Sequence, residues 1–165
     1  MRYHALIAIL LPLFSYGQSP VSTASSSSVV GTIEMPSLVD MSISSAVTDK
    51  ISINNFEDFT YGKTYPSYFK VHVRSNRPWN ISVMANTNHL SSTASGGQKI
   101  PTNIISLKAE TNNEFVSLSH LPKPFMHNVN DKIENTYNVD LKIESPLNYY
   151  GGNYDFNIVF IITAL

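Results

Sequence analysis

The chain has 165 residues, 11 Lys and Arg against 12 Asp and Glu, a formal net charge of −1 and no cysteine. With 14% charged residues and both signs scattered, it lacks the basic footprint that a phosphate backbone demands, so nucleic acid is not an expected partner. The absence of cysteine excludes disulfide staples and thiol chemistry alike, and leaves the fold to stand on its apolar core.

The chain opens with MRYHALIAILLPLFSYGQ. Arg2 supplies a positive start, Ala5 to Phe14 an apolar stretch, and Ser15-Tyr16-Gly17 a small-residue boundary before Gln18. This is the grammar of a secretory signal peptide, with residues 1–17 removed on export. The apolar run is about half the roughly 20 residues that a membrane span requires, so no span is expected after cleavage. Residues 18–28, QSPVSTASSSS, are small and polar, and read as a flexible segment that cannot bury enough apolar surface to offset its ordering. From residue 29 to 165 the chain reads as one domain, long enough to bury about two thirds of its unfolded surface.

That domain is written at a period of two. Phe69, Val71 and Val73 alternate with Tyr68, Lys70, His72 and Arg74, which predicts a strand with Tyr68 on its polar face. Trp79, Ile81, Val83 and Ala85 alternate with Asn80, Ser82, Met84 and Asn86, and the two runs, joined by Ser75 to Pro78, predict a hairpin. Trp79, the only tryptophan, is expected in the core and not at a ligand. Tyr137, Val139, Leu141 and Ile143 repeat the pattern downstream. Weaker strand signals cover Val29–Met35, Val39–Ala46, Lys50–Ile53, Ile104–Ala109 and Phe115–Ser119, and no segment carries a sustained helical period. Seven to nine short strands with polar turns between them predict an all-β fold, an antiparallel β-sandwich of immunoglobulin-like or related topology, with a barrel as the other architecture.

No catalytic or cofactor motif is present. There is no G-x-S-x-G elbow, Gly96-Gly97 and Gly151-Gly152 fit turns better than phosphate cradles, and the carboxylate pairs Glu110/Glu114 and Asp131/Glu134 lie in polar, loop-like surroundings that suit solvation better than general-acid work. His72, His89, His120 and His127 have no spacing that announces a metal site. Asn80-Ile81-Ser82 matches the glycosylation triplet by chance, inside a strand. The expectation is a non-enzymatic protein without cofactor or metal. LNYYGGNYDF places Tyr149, Tyr150 and Tyr154 with two asparagines around a glycine turn. Flat apolar faces beside amides are what a glycan-binding surface uses, and a hairpin tip packed over the sheet edge is the structural alternative.

The last twelve residues, YDFNIVFIITAL, become apolar on both faces from Ile158, so the strand needs cover on both sides. Ile162, Phe160 and Ile158 stand fourth, sixth and eighth from the C-terminus and Gly152 fourteenth, a layout that resembles subunits of chaperone–usher pili, although Ala164 replaces their penultimate aromatic. The resemblance implies completion by a neighbouring subunit's N-terminal strand, and Val29, Gly31, Ile33 and Met35 have the matching alternation. The same segment also reads as the first strand of the chain's own sandwich. The layout is similar as well to small secreted β-sandwich proteins of Bacteroidetes-type bacteria, and to surface domains of the spore-coat-U and WxL kinds, without the cysteines of the former or the paired motifs of the latter. These likenesses imply a secreted, periplasmic or cell-surface structural or adhesive protein, a fimbria-like subunit whose partners are other copies or other surface proteins. A monomeric glycan- or protein-binding module is the second expectation.

Overall fold

The computed structural model describes residues 31–45, 51–92, 97–128 and 133–165. The expected signal peptide, the serine-rich segment, Val29, Lys50 and Gly96 lie outside the described residues. The strands are β1 (Val39–Ser45), β2 (Lys63–Ser75), β3 (Trp79–Ala85), β4 (His89–Ser92), β5 (Ile100–Pro101), β6 (Ile105–Ala109), β7 (Val116–Ser117), β8 (Lys123–Asn128), β9 (Glu134–Ile143), β10 (Tyr154–Asp155) and β11 (Ile158–Ala164), with one short helix, α1 (Phe56–Tyr61). Eleven strands among the described residues exceed the seven to nine expected, because β5, β7 and β10 are two-residue pairings that no alternation could announce.

All pairings are antiparallel, and they make an all-β, sandwich-like fold with open sheet edges. One sheet has the order β1-β2-β9-β6-β7, the facing sheet the order β11-β3-β8, and a small third sheet the order β10-β4-β5. Across the interior, Trp79 of β3 meets Tyr137 of β9 edge-on, with ring centroids 5.9 Å apart. Phe69 of β2 meets Phe160 of β11 in the same manner at 6.2 Å. Such perpendicular ring pairs place one ring's positive edge on the other's negative face. Around them Val71, Val73, Ile81, Val83, Leu107, Val139 and Leu141 are almost wholly removed from water. Trp79, at 1% exposure, is therefore a core plug.

The alternation predicted for β3 and β9 holds residue for residue, and Val39–Ser45 and Ile105–Ala109 form where two weaker signals lay. Phe115–Ser119 contracts to the two residues of β7. Two expected strands do not form among the described residues. Over residues 31–35 the backbone is irregular, and pairing starts only beyond Pro36, which has no N–H to give a ladder. Residues 51–53 are irregular too, although Ile51 and Ile53 pack on the core.

The predicted hairpin is a crossing between sheets. β2 pairs with β1 and β9, while β3 pairs with β11 and β8, so Ser75 to Pro78 carries the chain from one layer to the other. Both strands have strongly apolar inner faces, and facing each other across the interior buries those faces more completely than lying edge to edge. The crossing is tied by Asn76, whose amide donates to the Pro36 carbonyl at 2.9 Å and accepts from the Leu38 N–H at 2.8 Å.

Tyr68 is also a correction, since it is buried at 4% exposure and not on the polar face. The β2–β9 register slips between Tyr65 and Phe69, and Ser67 there takes a φ of 50°, with its N–H on the Asp140 carboxylate at 2.8 Å. A bulge of this kind turns successive side chains to one face. Tyr68 and Phe69 thus both enter the interior, their rings 4.7 Å apart.

Trp79→Ala should cost about 3–5 kcal/mol, the usual range for truncating a large buried aromatic, read from a urea unfolding curve. Tyr137 gives a pH signature. Burial first, and the Glu110 carboxylate second, push its hydroxyl above the ordinary tyrosine value, while the Asn128 amide acts the other way. The folded protein then holds that proton to higher pH than the unfolded chain, so stability is retained up to about pH 10 and falls as pH rises beyond it. Tyr137→Phe should flatten that alkaline decline in a series of urea midpoints.

Candidate functional site

Two features stand out on the fold: a cavity lined in part by the tyrosines of the β9–β11 connection, and a side of the sandwich whose edge strands carry none of the usual protective devices among the described residues. The cavity has a volume of about 660 Å³. Ile100, Ile104, Ile105 and Ile143 are buried residues that line it, drawn from β5, the turn before β6, β6 and β9. Phe59, Phe69, Leu90 and Phe156 line it as half-buried residues.

Several lining segments are held by specific local bonds. Asn55 caps α1 by accepting from the Asp58 N–H at 2.6 Å, and Glu57 and Asp58 place negative charge in the first turn, where the helix dipole favours it. Lys63 donates to Asp58 at 2.8 Å, and this bond is the main reason its ammonium titrates above the ordinary lysine value, against a smaller opposing effect of burial. The helix ends at Gly62, with a φ of 78° and its N–H on the Asp58 carbonyl at 2.9 Å. The Ser145 hydroxyl donates to the Phe59 carbonyl at 2.8 Å, which fastens the helix to the β9–β10 connection. Tyr65 reaches out to the Ser52 carbonyl at 2.7 Å and so fixes the segment that carries Ile51 and Ile53.

The three tyrosines singled out from sequence, Tyr149, Tyr150 and Tyr154, all line this cavity. The Tyr150 N–H donates to the Gln98 side chain at 2.9 Å, and the Tyr154 hydroxyl donates to the Tyr150 carbonyl at 3.0 Å. A Cβ on Gly152 would come within 3.3 Å of the Tyr154 ring, so the missing side chain lets that ring lie against the turn. Tyr149 and Tyr154 pack on the core, whereas Tyr150 keeps 75% of its surface exposed. The buried isoleucines and α1 gave no such signal in the sequence. A six-residue helix is too short for a period, and only the Asn55–Asp58 cap spacing marks it.

The second feature concerns edges. β2 and β11 are joined across the interior by Phe69 and Phe160, and β1 also approaches β11, so the terminal strands β1 and β11 lie on one side of the sandwich. Each pairs without interruption over seven residues. β11 carries no charge and β1 carries only Asp40. Ile158, Phe160 and Ile162 pack on the core from β11, with Phe160 also 6.0 Å from the Phe125 ring. On β1, Val39 and Ile43 stand opposite Ser75 and Val71 on the interior-facing side, yet remain 36% and 42% exposed. The opposite side is guarded. β7 has two residues, while β8 carries Lys123 and Pro124 and a register slip against β3 between Ile81 and Ser82. Short strands, lysine, proline and bulges are the usual protections of a sheet edge. Ile33 and Met35, the other residues expected to assemble, are 85% and 75% exposed and not paired in a strand.

Among the described residues no three His, Asp or Glu side chains gather as a metal site, and no helix is long and apolar enough to cross a membrane. His72 bonds to Thr136 at 3.0 Å and Glu134 at 3.1 Å on the outer face of β2, and His89, His120 and His127 are exposed on separate elements. No protein-family model and no curated protein matches the sequence.

Gly62→Ala should destabilise the α1 end of the cavity by more than about 1 kcal/mol, because φ is positive there and the new Cβ would press on the Ile143 carbonyl. Thermal unfolding of the variant measures the loss.

Proposed function

We propose that the chain is a non-enzymatic structural or adhesive protein exported to the cell surface, and that its copies assemble by strand pairing along the β1–β11 side. The observation that carries this reading is the asymmetry of the edges. One side has short, bulged, lysine- and proline-bearing strands, and the other has two continuous, almost uncharged strands, with Val39 and Ile43 of β1 facing inward yet still exposed. An added strand on that side would supply main-chain bonds and cover Val39 and Ile43 together. The segment with Gly31, Ile33 and Met35 has the alternation for that role in a neighbouring copy, since its odd positions are spaced to face one sheet. Export rests on the signal-peptide grammar of residues 1–17.

A second reading, a binding module acting as a monomer, is favoured by the tyrosine-lined cavity. Light scattering separates the two. The processed chain, residues 18–165, is expected to form species larger than a monomer, and removal of residues 18–36 to return them to monomers. A double variant, Ile43→Lys with Ile161→Lys, should also abolish assembly, because it places charge on both unguarded strands, whereas Lys123→Ala on the guarded side should leave it unchanged. A single monomeric size for every form would overturn the assembly reading.

A further inference from the structure

We infer that the cavity beside α1 and β10 binds a neutral amphiphile, with an aliphatic tail against its isoleucines and an uncharged polyhydroxyl head against the tyrosines. The inference rests on reading this cavity as a binding site, which holds whether or not copies of the chain pair their strands. Its volume of about 660 Å³ falls within the roughly 300–1,000 Å³ of small-molecule sites.

The lining selects the class. Among the described residues no Lys, Arg or His lines the cavity, and Asp155 is the one carboxylate there, so no described side chain of the lining compensates the charge of a phosphate or carboxylate head. Anionic lipids and fatty-acid anions are thereby disfavoured, because burying an unpaired charge is expensive. Tyr149, Tyr150 and Tyr154 offer aromatic faces and hydroxyls, the groups that pack on a sugar ring and bond its hydroxyls. A bare sugar, however, would set hydroxyls against Ile100, Ile104 and Ile143, whose side chains cannot bond them, and each unmet hydroxyl opposes binding. An alkyl chain there gains from the same contact. A ligand with both parts satisfies both regions.

Octyl glucoside below its micellar concentration is the probe, titrated calorimetrically into the processed chain beside glucose and octanoate. Saturable one-to-one binding of octyl glucoside is expected, with glucose and octanoate at least tenfold weaker. Tyr150→Ala, on an exposed residue whose loss does not threaten folding, should weaken octyl glucoside about fivefold, in line with the loss of one aromatic contact. Leu90→Asp, with circular dichroism to verify the fold, should abolish it by setting a charge against the tail. Octanoate binding as tightly as octyl glucoside would overturn the assignment of a neutral head. Glucose binding as tightly as octyl glucoside would overturn the tail while leaving the cavity a sugar site. No binding of any of the three would overturn this inference alone, since the binding-module reading is tested separately by the monomeric size of the protein in light scattering.

Discussion

The structure depends on β3 being a central strand whose inner face fills the space between two sheets. β3 pairs on one side with β11 and on the other with β8, and from it Trp79 reaches across to Tyr137. With no cysteine in the chain, no disulfide ties the layers together, so this aromatic contact and the aliphatic residues around it carry the cohesion of the two sheets. Removing the indole would leave a void that Ile81, Val83 and Val139 are too fixed by their ladders to fill.

Period two is the part of the fold that could be read from the sequence. β3 and β9 alternate cleanly because each has one wet and one dry face, and their inner residues could be named in advance. Departures from that period stayed hidden. At Tyr65 to Phe69 and at β8 the ladder slips, so Tyr68 beside Phe69, and Phe125 beside Met126, turn inward as neighbours, which no alternation rule can produce. The link at Ser75 to Pro78 was hidden for another reason. A short polar turn looks the same whether the strands it joins lie side by side in one sheet or face each other in two, and only the burial of both inner faces distinguishes the cases. The tyrosines beside Gly151 and Gly152 were visible from composition, but the isoleucines they share a cavity with come from the segment before α1, β5, the turn before β6, β6 and β9, and only the folded chain brings these together.

Cavity and edges are protected by different means. The fold sets lysine, proline, a bulge and a very short strand on the β7–β8 side, and none of these on the β1–β11 side. A sheet edge without such devices is either covered by something or prone to aggregate, so leaving two together on one side has consequences for association. Near the cavity the helix cap, the Ser145 bond to α1 and the Tyr154 bond to Tyr150 hold the lining in place without closing it over.

The Asn76 clamp has a mechanical meaning. Asn76 grips Pro36 and Leu38 where the chain approaches β1, and the Leu165 N–H is held by the Pro78 carbonyl where it leaves β11, so the start of β1 and the end of β11 hang on one four-residue turn. Tension between these two points would not shear the sheets along their length. It would peel β1 from β2 starting at Val39, and β11 from β3 starting at Ala164, breaking ladder bonds in succession and not all at once. A polymer of such units would bear load well only if a neighbour's strand bridged that seam.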